Sequence, residues 1–129
     1  MDSISGIRFE KKGVEAFLSP LESRVLNALW ERKSGKVREL HSIVKKDQKV
    51  ALTSVAVILD RLYGKKLVKR KALPGKGGYH YIYSPTLSKL DFEYSMMDKF
   101  VEKMVETFGK SAVAYFNEKF SDKKKLEGA

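Results

Sequence analysis

Leu52-Thr53-Ser54-Val55-Ala56-Val57-Ile58-Leu59-Asp60-Arg61-Leu62-Tyr63-Gly64 leads into Lys65-Lys66-Leu67-Val68-Lys69-Arg70-Lys71-Ala72-Leu73. Pro74-Gly75-Lys76-Gly77-Gly78 and Tyr79-His80-Tyr81-Ile82-Tyr83-Ser84-Pro85 follow. The first piece has helical spacing. Val55, Ile58, Leu59 and Leu62 fall on one side, which turns Thr53, Ser54, Ala56, Val57, Asp60 and Arg61 outward. Gly64 is placed to take a left-handed helix stop. Residues 67–73 and 79–84 read as two strands, the second rich in β-formers. The connection 74–78 is too glycine-rich to pack, so a mobile loop is expected there.

Upstream, Ser19-Pro20-Leu21-Glu22 is a helix start: serine can cap, proline suits the first helical position, and Glu22 can complete a capping box. Leu21, Val25, Leu26, Leu29 and Trp30 recur at helical spacing, and Ser34-Gly35 ends the run. Membership of that stripe assigns Trp30 to the core rather than to a stacking platform for a base. A second amphipathic pattern covers residues 36–46 through Val37, Leu40, Ile43 and Val44, and Asp47-Gln48-Lys49 turns the chain. His41 lies off that stripe and is expected at the surface; no second histidine or acid cluster stands at metal-ligand spacing. Three helices and a basic hairpin, in this order, are what a winged helix-turn-helix needs: one helix for the major groove and a loop for the neighbouring backbone.

The charge is concentrated in the same place. Residues 36–85 hold twelve lysines and arginines against three acids, a net +9. The remainder of the chain holds 14 basic and 13 acidic residues, or +1 of the total +10. A solvated lysine-rich surface spreads its charge, whereas a polyanion-binding face gathers it. Double-stranded DNA is the partner this favours. Thr53 and Ser54 can bond phosphate or base edges near a helix N-terminus, Val57 offers an apolar contact, and Arg61 can reach phosphate or guanine. Lys36, Lys65, Lys69 and Lys76 complete the expected contacts. The glycine loop is no nucleotide-enzyme phosphate loop, because the pattern GxxxxGK[ST] is absent and no helix follows.

Outside this segment, Ile7 and Phe9 alternate with Arg8 and Glu10, and Val14, Ala16 and Leu18 alternate again beyond Lys12-Gly13. Residues 4–18 read either as a short hairpin or as a leader that orders only near Phe17. From Leu90 onward a long amphipathic helix is expected, carrying Leu90, Tyr94, Met97, Phe100, Val101, Met104, Val105 and Phe108. A hinge at Gly109 leads to a second helix with Val113, Phe116 and Phe120. A helical pair of this apolarity exposes more than a monomer tolerates, so these residues are expected to build a homodimer. The tail from Ser121, with Lys123-Lys124-Lys125, is expected to fray. The chain has no cysteine, which excludes disulfides, thiolate metal sites and cysteine nucleophiles and favours a reducing cytoplasm. No apolar run approaches the roughly 20 residues of a membrane span, and the N-terminus lacks the layout of a signal peptide.

Leu18-Ser19-Pro20-Leu21-Glu22, Val25-Leu26, Leu29-Trp30, Val37-Arg38-Glu39-Leu40, Ser54-Val55 through Arg61-Leu62, and Tyr81-Ile82-Tyr83-Ser84-Pro85 stand in a telling order. Over residues 18–120 the chain resembles the penicillinase-repressor family, which includes the methicillin-resistance and copper-transport repressors. The resemblance implies a homodimeric winged-helix repressor that binds a dyad-symmetric operator through its third helix and wing and dimerises through C-terminal helices. It places the family's threonine-hydrophobic pair on Ser54-Val55 and its recognition-helix arginine on Arg61. There are departures. Ala51-Leu52 stands where many members have Ser-Pro. Gly78-Tyr79 replaces the usual Gly-Arg of the wing, leaving Lys76 as the substitute. Copper sensing through C-terminal cysteines is excluded. Tyr115-Phe116-Asn117 reverses the Asn-Phe bond at which the penicillinase branch is cleaved, so that regulation does not carry over.

The expected fold is mainly α with a small antiparallel sheet: an N-terminal extension (1–18), a winged helix-turn-helix (19–85) and a C-terminal two-helix dimerisation region (86–129). The expected function is a cytoplasmic, sequence-specific repressor of a palindromic operator, without cofactor, metal or membrane partner. No paired carboxylates or nucleophile–base arrangement suggests an enzyme. Two rivals are a winged-helix module that contacts the transcription machinery and a sequence-indifferent architectural DNA binder.

Overall fold

The computed structural model describes residues 3–4, 7–8 and 11–121. Phe9 and the lysines at 123–125, for which a strand and a frayed tail are expected, lie outside the described residues. The elements are β1 (Ser3–Ile4), β2 (Ile7–Arg8), a 3-10 turn (Gly13–Ala16), α1 (Pro20–Arg32), α2 (Val37–Val44), α3 (Leu52–Gly64), β3 (Val68–Gly75), β4 (Gly78–Pro85), α4 (Lys89–Phe108) and α5 (Lys110–Phe120). The fold is mainly α with a small antiparallel sheet, as expected. Among the described residues no helix is long and apolar enough to cross a membrane.

Chain contacts divide residues 1–93 from residues 94–129, the boundary falling inside α4. In the first unit, α1, α2 and α3 enclose a core of Val25, Leu26, Leu29, Leu40, Val44, Val55, Leu59 and Leu62, all fully buried. Val68 of β3, Tyr83 of β4 and Phe92 at the start of α4 close it. Ser19 caps α1 as its sequence predicts. The Glu22 amide donates to Ser19 Oγ and the Ser19 amide to Glu22 Oε1, each at 3.1 Å. Trp30, expected in the core, is half-buried at its edge: its ring centroid lies 5.7 Å from that of Phe92, and its Nε1 donates to the Leu87 carbonyl at 2.9 Å. The apolar stripe expected to begin α4 at Leu90 and Tyr94 is shifted. Phe92 is the buried residue and those two are exposed, because Phe92 packs against the rings of Phe17, edge-on at 6.3 Å, and Trp30, tilted at 5.7 Å.

The N-terminal hairpin closes earlier than its sequence suggests, with Ser3 opposite Arg8 and Ile4 opposite Ile7. Val14 and Ala16 are buried from a 3-10 turn, and Leu18 from just beyond it, rather than from a strand. The amides of Phe17 and Leu18 both donate to the Val14 carbonyl, at 3.0 and 3.1 Å, which curls the segment that alternation alone would extend. Arg8 donates to the carbonyls of Glu15 and Leu18 and ties the two pieces together.

Both long helices of the first unit end differently from expectation. Gly64 stays helical, and Lys66 takes the left-handed position at φ 63°. The Lys66 amide bonds the Tyr63 carbonyl at 3.0 Å and the Leu67 amide the Leu62 carbonyl at 2.9 Å, a complete Schellman closure. Lys33 does the same service after α1 at φ 77°. Gly35, expected only to stop α1, exchanges both backbone hydrogen bonds with Tyr83 at 2.9 Å and adds a third member to the hairpin sheet. In the second unit, α4 and α5 join at Gly109, Ala112 is buried, and Phe116 and Phe120 stack at 5.7 Å.

Glu22 also accepts from Lys65 Nζ at 2.6 Å, joining the start of α1 to the end of α3. Burial opposes its charge, yet the hydrogen bonds from Lys65 and from Ser19 hold its pKa below the usual 4.5. A carboxylate with a depressed folded pKa stabilises the fold fully above its unfolded pKa, and that stabilisation fades as pH falls through the folded value. Glu22→Gln is therefore expected to cost about 1 kcal/mol at neutral pH, with the difference shrinking as pH drops below about 4.5. Chemical denaturation of both proteins across that range checks this; a constant difference would contradict it.

Candidate nucleic-acid interface

α3 starts at Ala51, whose side chain cannot cap the helix, and no side-chain hydrogen bond closes that end. The amides of Ser54 and Val55 return to the Ala51 carbonyl at 3.1 and 3.3 Å. Those of Leu52 and Thr53, at the helix's positive end, are left for an outside acceptor such as phosphate. The start of α3 is held in place from the preceding helices. Arg24 pairs with Asp47 at 2.7 Å and also bonds the Ile43 carbonyl, so the turn after α2 is anchored to α1. His41 is half-buried rather than at the surface, and its Nε2 lies 2.8 Å from the Val50 carbonyl. It pins the segment entering α3.

The outward face of α3 matches its sequence reading. Thr53, Ser54, Val57 and Arg61, with Leu21 and Ile58, line one groove. Val57 is 49% exposed, a large fraction for a valine in a folded helix, so its side chain is available to an apolar group such as a thymine methyl. Among the described residues Arg61 joins no ion pair, which leaves its charge available.

The wing is tighter than its glycine content suggests. β3 and β4 pair from Val68↔Pro85 to Gly75↔Gly78, so the turn is the two residues Lys76-Gly77 and the expected loop at 74–78 is mostly strand. Gly77 has φ 81°, which a side chain resists. A Cβ at Gly75 would stand 2.3 Å from a His80 ring carbon, so any larger residue there must displace the exposed His80 ring. Lys76 is presented there, exposed.

The remaining expected contacts are dispersed. Lys36 opens α2 and lines a second groove with Val37, Arg38, Leu52, His80 and Tyr81, between the start of α3 and the outer edge of the wing. The basic run signals Arg38, whereas nothing in the sequence singles out His80 and Tyr81 for this groove. Lys65 is engaged with Glu22. Lys69 lies with Trp30, Lys33, Ser84, Pro85, Ser88 and Lys89 in a further cleft, apart from the α3 groove. Among the described residues no cluster of histidine, aspartate or glutamate could hold a metal.

An exposed third helix with an open N-terminus, a pinned turn before it and a lysine-tipped hairpin beside it define a winged helix-turn-helix DNA-binding protein. Residues 18–127 match the family described as penicillinase repressor, and the chain belongs to that family. It is a DNA-binding transcriptional repressor and not an enzyme. It is 28% identical over 108 residues to the penicillinase repressor of Staphylococcus aureus, with 82% of each chain covered. Among solved structures, Bordetella bronchiseptica BpsR, whose DNA binding is regulated by 6-hydroxynicotinic acid, has a similar fold. The TM-score is 0.51 at 18% identity, covering 88% of this chain and 82% of that one. A PadR family transcription regulator from Clostridium difficile gives a TM-score of 0.48 at 20% identity, over 68% of this chain and 96% of that one.

Thr53→Glu separates the functional from the purely structural role of the α3 N-terminus. The acid is expected to stabilise the helix by about 0.5 kcal/mol through the dipole while repelling phosphate. A raised melting temperature together with lost DNA retention in a mobility-shift assay is the expected result. Retained binding would remove Thr53 from the interface.

Proposed function

We propose that the protein is a cytoplasmic homodimer that represses transcription by occupying a palindromic operator. Residues 19–85 read the DNA and residues 86–129 hold the two copies together. The observation that carries this reading is the exposed, uncapped start of α3 with Thr53, Ser54, Val57 and Arg61 along one groove. Thr53 and Ser54 meet phosphate or base edges, Val57 an apolar base edge, and Arg61 guanine or phosphate. Lys76 grips the backbone beside the wing, and Lys36 the backbone beside the start of α3. Lys65, paired with Glu22, and Lys69, in the cleft with Lys33 and Lys89, serve as flanking phosphate partners.

Self-association is supported by the second unit considered alone. Met97, Val101, Phe108, Val113 and Phe120 are exposed large hydrophobics there, Phe108 at 56% and Phe120 at 58%. Phe100, Met104 and Phe116 are intermediate in exposure and continue the same apolar surface. A closed two-fold dimer is the commonest way to cover such a face. Two reading helices so related fall about 34–36 Å apart or at a multiple of that distance, which matches half-sites separated by whole turns of B-DNA.

Binding to a selected operator and to scrambled DNA tests the assignment. Arg61→Ala and Ser54→Ala are each expected to weaken operator binding by about tenfold with little effect on scrambled DNA, whereas Lys76→Ala weakens both alike. Sedimentation of the free protein should give twice the chain mass, and Phe108→Glu should shift it toward the single chain. Equal losses on both DNAs for all three interface variants, or a monomer that binds the operator with full affinity, would reject the reading.

A further inference from the structure

The segment 65–76 carries six basic residues, and one of them, Arg70, is an arginine. It stands on the opposite face of β3 from its neighbours Lys69 and Lys71, since side chains alternate along a strand. Its guanidinium carbon lies 3.9 Å from the Tyr63 ring centroid and 4.3 Å from that of Tyr81. Nη1 donates to Asp60 Oδ1 at 3.1 Å. Asp60 and Tyr63 belong to α3, whereas Tyr81 belongs to β4. One side chain from the first strand of the wing thus grips both the reading helix and the second strand. A planar guanidinium can lie against two rings while its edge meets a carboxylate; an ammonium cannot reproduce that.

We propose that Arg70 is a positioning residue for operator recognition, a latch that fixes the angle between the wing and α3 instead of contacting DNA itself. Asp60 is the sole acid of α3 and directly precedes Arg61, so the latch also neutralises the one α3 charge that would repel phosphate. With the angle fixed, the groove of Thr53, Ser54, Val57 and Arg61 and the tip at Lys76 address adjacent parts of one duplex together. Operator binding needs that simultaneous fit. Binding to arbitrary DNA needs mainly the sum of the cations.

The proposal rests on α3 and the wing forming the DNA interface, and the experiment keeps the two ideas apart. Affinities for operator and scrambled duplexes are measured over a range of salt concentrations, below the melting temperature of each variant, for the full chain and for Arg70→Lys, Arg70→Gln, Tyr63→Leu and Tyr63→Phe. Arg70→Lys, which keeps the charge, is expected to lose about tenfold in operator affinity, with an unchanged salt slope and unchanged scrambled-DNA affinity. Tyr63→Leu should behave the same way, and Tyr63→Phe, which keeps the ring face, like the unaltered protein. The proposal is overturned if Arg70→Lys binds normally while Arg70→Gln weakens both DNAs and reduces the salt slope by about 0.9, the signature of one phosphate contact. If Arg61→Ala and Lys76→Ala also leave operator binding intact, the interface itself has been misassigned, and the proposal falls with it.

Discussion

A single 13-residue helix supplies both part of the core and the exposed face proposed to read DNA. α3 contributes Val55, Ile58, Leu59 and Leu62 to the interior of the first unit, so its rotation about its own axis is fixed by burial of four aliphatic side chains. That rotation alone decides that Thr53, Val57 and Arg61, one turn apart in succession, point away from the core. A register error of one residue would bury the reader and expose the core, at a cost of several kcal/mol for each large side chain misplaced. The other contacts of the unit refine this arrangement: Glu22 with Lys65 at the end of the helix, His41 with the Val50 carbonyl before its start, and Arg70 across to the wing.

Net charge is a coarse guide to the interface. Of the cations in the basic stretch, Lys65 and Arg70 are engaged by Glu22 and Asp60, and Lys69 lies in a cleft with Lys33 and Lys89 rather than beside the reading face. Proximity in sequence brought these residues into one reading, whereas strand alternation and the turn after α3 send them to different places. The free Arg61 and the tip lysine Lys76 remain where a duplex could meet them.

Much of the fold was legible. The Ser19–Glu22 capping box, the apolar stripes of the first three helices and the strand–turn–strand pattern are local signals that tertiary contacts reinforce. Misreadings arose where a long-range contact overrode a local one. The left-handed positions fell on Lys33 and Lys66, because closure of the helix ends is set by where Leu67 and Gly35 must go next. Thr86 then bonds the backbone oxygens of Leu67 and Lys66 and holds that exit. Residues 14–18 looked extended by alternation and are curled. Phe92 gave no sign that it, and not Leu90 or Tyr94, would meet Phe17 and Trp30. For the site, the helical face of Thr53, Ser54, Val57 and Arg61 could be read from periodicity. The latch at Arg70 could not, since it joins three elements and a sequence gives no distance between them.

In the proposed complex the open face of α3 and the wing tip engage one duplex together. Amide chemical shifts of isotope-labelled full-length protein, followed during titration with an operator duplex selected from genomic fragments, report on both at once. The largest changes are expected on residues 52–61 and 75–78, moving in step with one affinity. Changes confined to the cleft of Lys33, Lys69 and Lys89, with α3 undisturbed, would contradict it.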